Sequence, residues 1–283
     1  MLFRSNTVAA YILSGTVDVT AGLTLTLPPR MALQQQWDRS GEGQIYTTPT
    51  FFVNLQVQHD PSRTQQPAIL DLRVRRALVH GLDRVTIAEV VMEGTAPAAD
   101  VLMTPADPLY PRVQQAIAKY PFDLTRALAL LQEAEWTRRG DTLVNASGQP
   151  FTTDITIPEV ADSQTHAALV QAGWSALGIQ ASLTSIPQAR MRDMEFRATF
   201  PGFRIYGNRL EVPRAMAGFT SDECPRAENR FFGANGGCWI NADFDRYFRI
   251  ATTSLDEGEQ ADAIVQVFKT ITENVGTDRK SVV

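Results

Sequence analysis

Histidines, cysteines and grouped carboxylates are the residues of this chain with the types that chemistry needs. Histidine occurs at positions 59, 80 and 166, and the only cysteines are Cys224 and Cys238. Nucleophilic catalysis needs a base in reach of a nucleophile and an acid that orients the base. No Gly-x-Ser-x-Gly elbow exposes a serine. His80 and His166 each fall within a helical stretch and read as surface or packed residues. Asp222 and Glu223 sit together in a loop. Asp256, Glu257 and Glu259 open a helix, where acids suit the helix dipole. Histidine and cysteine are too sparse for a metal centre. The run GANGG at 233–237 lacks the Lys and Ser/Thr of a phosphate loop. It reads as a tight loop able to approach a ligand or to pack closely. Cys224 and Cys238 flank it. In an oxidising compartment a disulfide there would stabilise by about 3 kcal/mol in the chain-entropy model; the alternative is two free buried thiols. No catalytic group, cofactor or metal is expected.

Composition narrows the classes further. The chain has 283 residues, is 44% hydrophobic and carries a net charge of −5. It is long enough for a large core and two lobes or domains. A mildly acidic chain lacks the basic footprint of a nucleic-acid binder. No apolar run reaches the roughly 18 residues of a transmembrane helix. No basic segment followed by an apolar core opens the chain, so no secretory signal is read there.

The best-specified elements are a helical pair at 71–97. Asp71 is an N-cap, and Leu72, Ala77, Leu78 and Leu82 recur at helical spacing, with Arg73, Arg75 and Arg76 mostly off that stripe. Asp83 caps a second helix with Val85, Ile87, Val90 and Val91 as its apolar face, and Gly94 stops it. Before this pair, 6–19 reads as helix, glycine turn and short strand, 28–39 as a helix, and 44–48 and 51–57 as strands. After it, 98–111 reads as an extended crossover. An amphipathic helix at 123–136 follows, then a hairpin at 140–150. Strand 151–157, helix 162–177 and strand 179–186 form a βαβ unit. A short helix is read at 188–196, irregular chain at 200–219, and helices at 243–253 and 256–273.

Four of these segments resemble the extracytoplasmic solute-binding proteins of family 5, the oligopeptide-, dipeptide- and nickel-type binding components of ABC importers. Asp71, Arg73, Val74, Arg75, Ala77, Leu78, Asp83, Arg84, Ile87, Gly94, Ala96 and Pro97 carry the first match. Tyr120, Ala127, Leu130, Leu131, Ala134 and Trp136 carry the second, with Glu135 in place of the usual glycine. Trp174, Leu177, Gly178 and Ile179 carry the third. Pro225, Glu228, Asn229, Arg230, Gly233, Asn235, Gly236, Gly237, Asn241 and Asp245 carry the fourth. Such proteins run to roughly twice this length, so the chain resembles their C-terminal half.

The resemblance implies an α/β, two-lobed, periplasmic-binding-protein-like fold of the type II class. The first lobe would be incomplete (1–97) and the second largely complete (98–277). It implies capture of a peptide or other small solute in an interlobe cleft, delivered to the transmembrane subunits of an importer. The protein would be a periplasmic or otherwise extracytoplasmic monomer, lipid-anchored or free, and not an enzyme. Aromatic walls with a few polar groups suit such a site. Phe51, Phe52 and Asn54 on one lobe, and Phe203, Arg204, Tyr206 and Asn208 on the other, are the candidate ligand-facing residues. Gly202 and Phe203 loosely match the family's G-W-x-x-D stretch. No acid stands where Tyr206 and Gly207 fall, although peptide binders use one to hold an amino terminus. Two readings stay beside this one: a hydrolase on an α/β scaffold, and the sensing domain of a transcriptional regulator. Residues 2–5 and 278–283 read as translated sequencing-adapter DNA, placing the natural segment near 6–277. Sequencing the genomic locus is expected to show neither end encoded there; finding them would refute that reading.

Overall fold

The computed structural model describes residues 5–20, 25, 27–46, 51–94, 96–158, 163–209 and 214–282. The chain divides into two compact units, Met1–Thr48 and Pro49–Val283. The first holds α1 (Ser5–Leu13) and α2 (Leu27–Ser40), with Val8 and Leu33 buried. Prolines 28 and 29 suit the first turn of α2, where missing N–H groups cost nothing. The strand expected near 16–19 does not form. The chain instead turns at Gly15, and the Thr16 N–H returns to the Tyr11 carbonyl at 2.9 Å. Residues 44–46 belong to no strand, and 47–48 lie outside the described residues.

The second unit begins with β1 (Phe51–Val57), α3 (Leu72–His80) and α4 (Arg84–Met92). It continues through α5 (Tyr110–Ala116), α6 (Leu124–Glu133), β2 (Thr137–Arg139), β3 (Thr142–Val144) and β4 (Thr152–Ile157). Next come α7 (Ser163–Ser175), β5 (Gln180–Ser185), α8 (Met194–Ala198) and β6 (Phe203–Arg209). The last elements are α9 (Arg214–Ala217), α10 (Ala242–Thr253), α11 (Glu257–Glu273) and β7 (Thr277–Val282). Several differ from the sequence reading. The stretch expected to be irregular contains β6 and α9. The crossover runs into the start of α5, and its Val101, Leu102 and Met103 are buried. β7 was not expected, and its residues 278–282 fall in the end segment read above as foreign.

Five strands form one sheet in the order β5-β4-β6-β1-β7. β4 runs parallel to β5 and β6, while β1 is antiparallel to β6 and β7. Leu55, Ile155, Phe203 and Ile205 on one face join a core with Val74, Leu131 and Trp174 from the helices. The Trp174 indole N–H donates to the Leu78 carbonyl at 3.0 Å, and its ring centroid lies 4.6 Å from that of Phe203. A second core gathers Phe52 with Met103, Phe219, Phe244 and Phe268. The sheet therefore spans the expected 97/98 division: β1 lies before it, and β4, β5 and β6 lie after it.

The helical pair forms as its caps predict. Asp71 Oδ1 accepts from the Arg73 N–H at 2.8 Å, and Asp83 Oδ1 from the Thr86 N–H at 3.1 Å. The expected Ala77, Leu78 and Leu82 of the first helix are buried, whereas the buried face of the second is rotated from the expected one. Val74, Arg75, Ala77, Leu78 and Val79 are buried in α3, and Ile87, Ala88, Val91 and Met92 in α4, while Val85 and Val90 are exposed. Arg75 is inside because helix-end carbonyls need its donors. Its guanidinium reaches the carbonyls of Ile69 (3.0 Å), Leu70 (2.7 Å) and Asn274 (3.1 Å), the last at the end of α11. Burial draws its pKa down to about 10, so it stays a cation at neutral pH. Arg84 ties the crossover down through Asp100 and the Tyr120 carbonyl, both at 3.0 Å.

The GANGG loop closes over the end of β1. Cys224 and Cys238 are joined by a disulfide, with Cα atoms 4.6 Å apart. The His59 N–H donates to the Gly237 carbonyl at 2.7 Å. A Cβ on Gly237 would lie 2.1 Å from the Val57 carbonyl oxygen, so only glycine fits. Gly237→Ala is expected to destabilise by about 1–3 kcal/mol, the usual cost of overpacking, read as a lower urea midpoint at unchanged m-value. His59 supplies a second test. Burial, then the charge of Arg75, push its imidazole down to about 3 from 6.5, against the opposing Gly276 carbonyl. The unfolded chain therefore binds a proton between those values that the native chain does not. Stability is complete above about pH 6.5 and falls on acidification by at most about 1.4 kcal/mol per pH unit. His59→Gln is expected to flatten that slope between pH 6.5 and 4.5 in denaturant titrations.

Candidate functional site

In open α/β sheets, ligands bind outside the carboxyl ends of parallel strands, where neighbouring strands part. This sheet has such a place. β4 pairs with β6 at Ile155↔Phe203 and Thr156↔Arg204 only, and ends one residue later at Ile157. β6 runs on to Arg209, still paired with β1 along its other edge. The carboxyl end of β4 is therefore a step beneath an overhanging ribbon of β6 and β1. Phe51 is opposite Arg209 on that ribbon, Phe52 opposite Asn208 and Asn54 opposite Tyr206.

The candidate residues expected on facing walls thus lie side by side on two paired strands. Phe203 is a core residue, 2% exposed and packed on Trp174. Phe52 is 1% exposed and belongs to the second core. Both were expected to wall a ligand; both pack into apolar cores instead, Phe203 on the face of Leu55 and Ile205, and Phe52 at the end of the face that also carries Asn54 and Gln56. Asn54 is buried, and Tyr206 is half-buried. The side chains of Phe51 and Asn208 lie outside the described residues.

Arg204 is buried on the polar face of β6, level with the last paired residue of β4. Its Nη1 donates to the Arg197 carbonyl and its Nη2 to Gln56 Oε1 on the paired strand. The rings of Phe200 and Tyr206 have centroids 4.9 and 5.0 Å from the guanidinium carbon, within cation–π range. Among the described residues no carboxylate pairs with it. Burial lowers its pKa to about 10, so the charge persists at neutral pH. A Cβ on Gly236 would lie 2.1 Å from Nη2, so the glycine loop passes directly against this group. On the same face Asp154 accepts from the hydroxyls of Thr156 (3.0 Å), Ser182 (3.0 Å) and Thr184 (2.5 Å).

Gln56, Asp154, Thr156 and Gly236 were not among the expected site residues. The signal that could have found Gln56 is the alternation V-N-L-Q-V-Q at 53–58, and D-I-T-I at 154–157 does the same for Asp154 and Thr156, each putting polar side chains on one face of a strand. The sequence-level suspects for chemistry lie elsewhere. His80 Nδ1 contacts the Pro121 carbonyl at 2.7 Å, and His166 is buried in α7. A cavity of about 10 Å³ beside Arg75, lined by Leu55, Leu78, Trp174 and Phe203, is apolar and no larger than one water. Among the described residues no group of three or more His, Cys, Asp or Glu could hold a metal ion, and no helix is long and apolar enough to cross a membrane.

Comparison with known proteins gives this geometry a context. Residues 2–220 match the bacterial extracellular solute-binding proteins, family 5 Middle. The nickel-binding periplasmic protein of Escherichia coli (strain K12) is 29% identical over 136 residues, covering 46% of this chain and 25% of that protein. The oligopeptide binding protein from Thermus thermophilus, complexed with pentapeptide, superposes with a TM-score of 0.78 at 20% identity, over 99% of this chain and 49% of that one. NikZ from Campylobacter jejuni, in complex with Ni(L-His), superposes with a TM-score of 0.75 at 15% identity, over 100% of this chain and 54% of that one. The fold is that of the two-lobed periplasmic binding proteins, and the chain spans about half the length of these solved relatives. Its residues 2–220 place it plainly: the chain belongs to the bacterial extracellular solute-binding proteins of family 5.

Proposed function

We propose that the complete protein captures a small solute outside the cytoplasm and delivers it to the transmembrane subunits of an ABC importer. Family membership over residues 2–220 is the observation that carries this reading. The step at the carboxyl end of β4 supports it, because that is where an α/β sheet offers a crevice to a ligand. The overhanging ribbon carries Tyr206 and Asn54, with Phe51 and Asn208 further along it. Capture needs no covalent step, only complementary contacts and closure of the lobes. Similar proteins carry peptide or Ni(L-His) in their structures, so peptides and metal chelates are the first solutes to offer.

The test is calorimetric titration of the complete gene product with peptides, opines, sugars and metal chelates. Saturable binding of at least one class is expected. Tyr206→Ala is expected to weaken that binding about tenfold or more while moving the melting temperature little. Silence across all four classes would refute the reading.

A further inference from the structure

We propose that Arg204 sets the charge preference of this site, so that the solute captured carries negative charge where it meets the step beside Tyr206. The inference rests on the solute-binding reading above. It starts from an imbalance: a buried guanidinium with no acid beside it among the described residues. It is held by a backbone carbonyl, an amide oxygen and two aromatic faces, all neutral. Neutral acceptors satisfy N–H groups but leave the net charge in place. Its Nε, also buried, has no acceptor among the described residues.

The charges nearby do not cancel it. Asp154 shares the polar face and keeps its own charge, but it is bonded to hydroxyls on β4 and β5 rather than to Arg204, and it is not among the groups whose charge acts on the guanidinium. The cationic side chain whose charge acts on Arg204 is Arg197, of like sign. Glu223 faces the glycine loop, where its carboxylate accepts from the Ala234 N–H at 2.9 Å. Among the described residues the field of Arg204 is therefore uncompensated, in a region of low dielectric where a charge acts more strongly than in water.

Position decides where that field is felt. On the β1 side Arg204 is covered by Gln56, and above by Gly236. Two residues further along the same face stands Tyr206, beyond the end of β4 and half-buried. Its ring lies against the guanidinium and forms the surface that a solute in the step would touch. A carboxylate, phosphate or acidic chelate there would complete the missing charge. A free ammonium group would meet repulsion.

The experiment uses the complete gene product and matched pairs differing only in charge: N-acetyl-dialanine against its C-terminal amide, and galacturonate against galactose. In whichever pair binds, the acidic member is expected to bind at least tenfold tighter. Arg204→Met should reduce that ratio to within threefold, Arg204→Lys should preserve it, and raising salt from 0.05 to 0.5 M should weaken the acidic member selectively. Equal or tighter binding of the neutral member overturns the inference, as does a ratio untouched in Arg204→Met. Should that variant fail to fold, the ratio and its salt dependence in the native protein decide. If only neutral or cationic solutes of the wider panel bind, this inference fails and the solute-binding reading stands. If nothing binds, both fail.

Discussion

The pairing of β1 with β6 is the constraint on which the rest of this fold depends. It joins segments far apart in the chain: Gln56 and Arg204, paired in the ladder, are 148 residues apart. Closing so long a loop costs entropy that only extensive burial can offset. The pairing achieves this by alternation. Leu55, Val57, Phe203 and Ile205 enter one core, and Asn54, Gln56, Arg204 and Tyr206 share the other face. A slip of one residue would exchange the faces. It would put a guanidinium against Trp174 and leave Phe203 among amides, so the register is strongly specified.

A polar face that is also buried must find partners for most of its groups. Here the partners are loops, and the need for them explains where those loops lie. Gln58 donates to the carbonyls of Ala198 and Phe200 at 3.3 and 3.0 Å, and accepts from the Asp60 N–H at 3.1 Å. Arg63 reaches the carbonyls of Ala198 (3.2 Å) and Pro225 (2.8 Å). Arg204 holds the Arg197 carbonyl. Residues 197–200 and 225 are thus pinned to the sheet by side chains from the end of β1, the loop beyond it and β6. The glycine loop then fits between them, because a side chain at 236 or 237 would collide with Arg204 or with the β1 backbone.

Elements whose signals are local were legible in the sequence. Asp71, Asp83 and Asp123 each cap the helix that follows them, as their residue type and position imply, and the βαβ order of β4, α7 and β5 followed from period and length. What was hidden depends on distant partners. β6 has a strand's alternation, but FRIYGNR carries Arg, Tyr and Asn on one face, which reads as solvent-exposed loop until Gln56 and Gly236 are known to cover it. Arg75 read as lying mostly off the apolar stripe, and the carbonyls that draw it inward come from Leu70 and from Asn274 at the end of α11. For the candidate site, the residues named from the sequence fall on β1 and β6, but that these strands are paired was not foreseen. Aromatic residues suggested walls, yet the pleat sends Phe52 and Phe203 into cores. The polar residues between them carry the distinctive chemistry.

This division of labour follows from the mixed sheet. Two parallel pairs with β4 anchor the root of β6, and seven antiparallel pairs with β1 carry it past the end of β4. Parallel neighbours supply the crevice, and the antiparallel neighbour supplies a rigid ribbon above it. Side chains at the root are enclosed and fixed, as Arg204 is. Those beyond β4 have one edge uncovered by that strand, as Tyr206 does. A fixed charge below a partly exposed ring is a preorganised arrangement, since nothing at the root must reorder when the crevice fills. The basic residues of the helical pair contribute to none of this directly. Arg75 and Arg84 satisfy backbone carbonyls, and Arg84 also pairs with Asp100. Their role is to hold α3, α11 and the crossover where the two faces of the sheet need cover, so the most recognisable motif in the chain is scaffold and the least regular-looking stretch supplies β6.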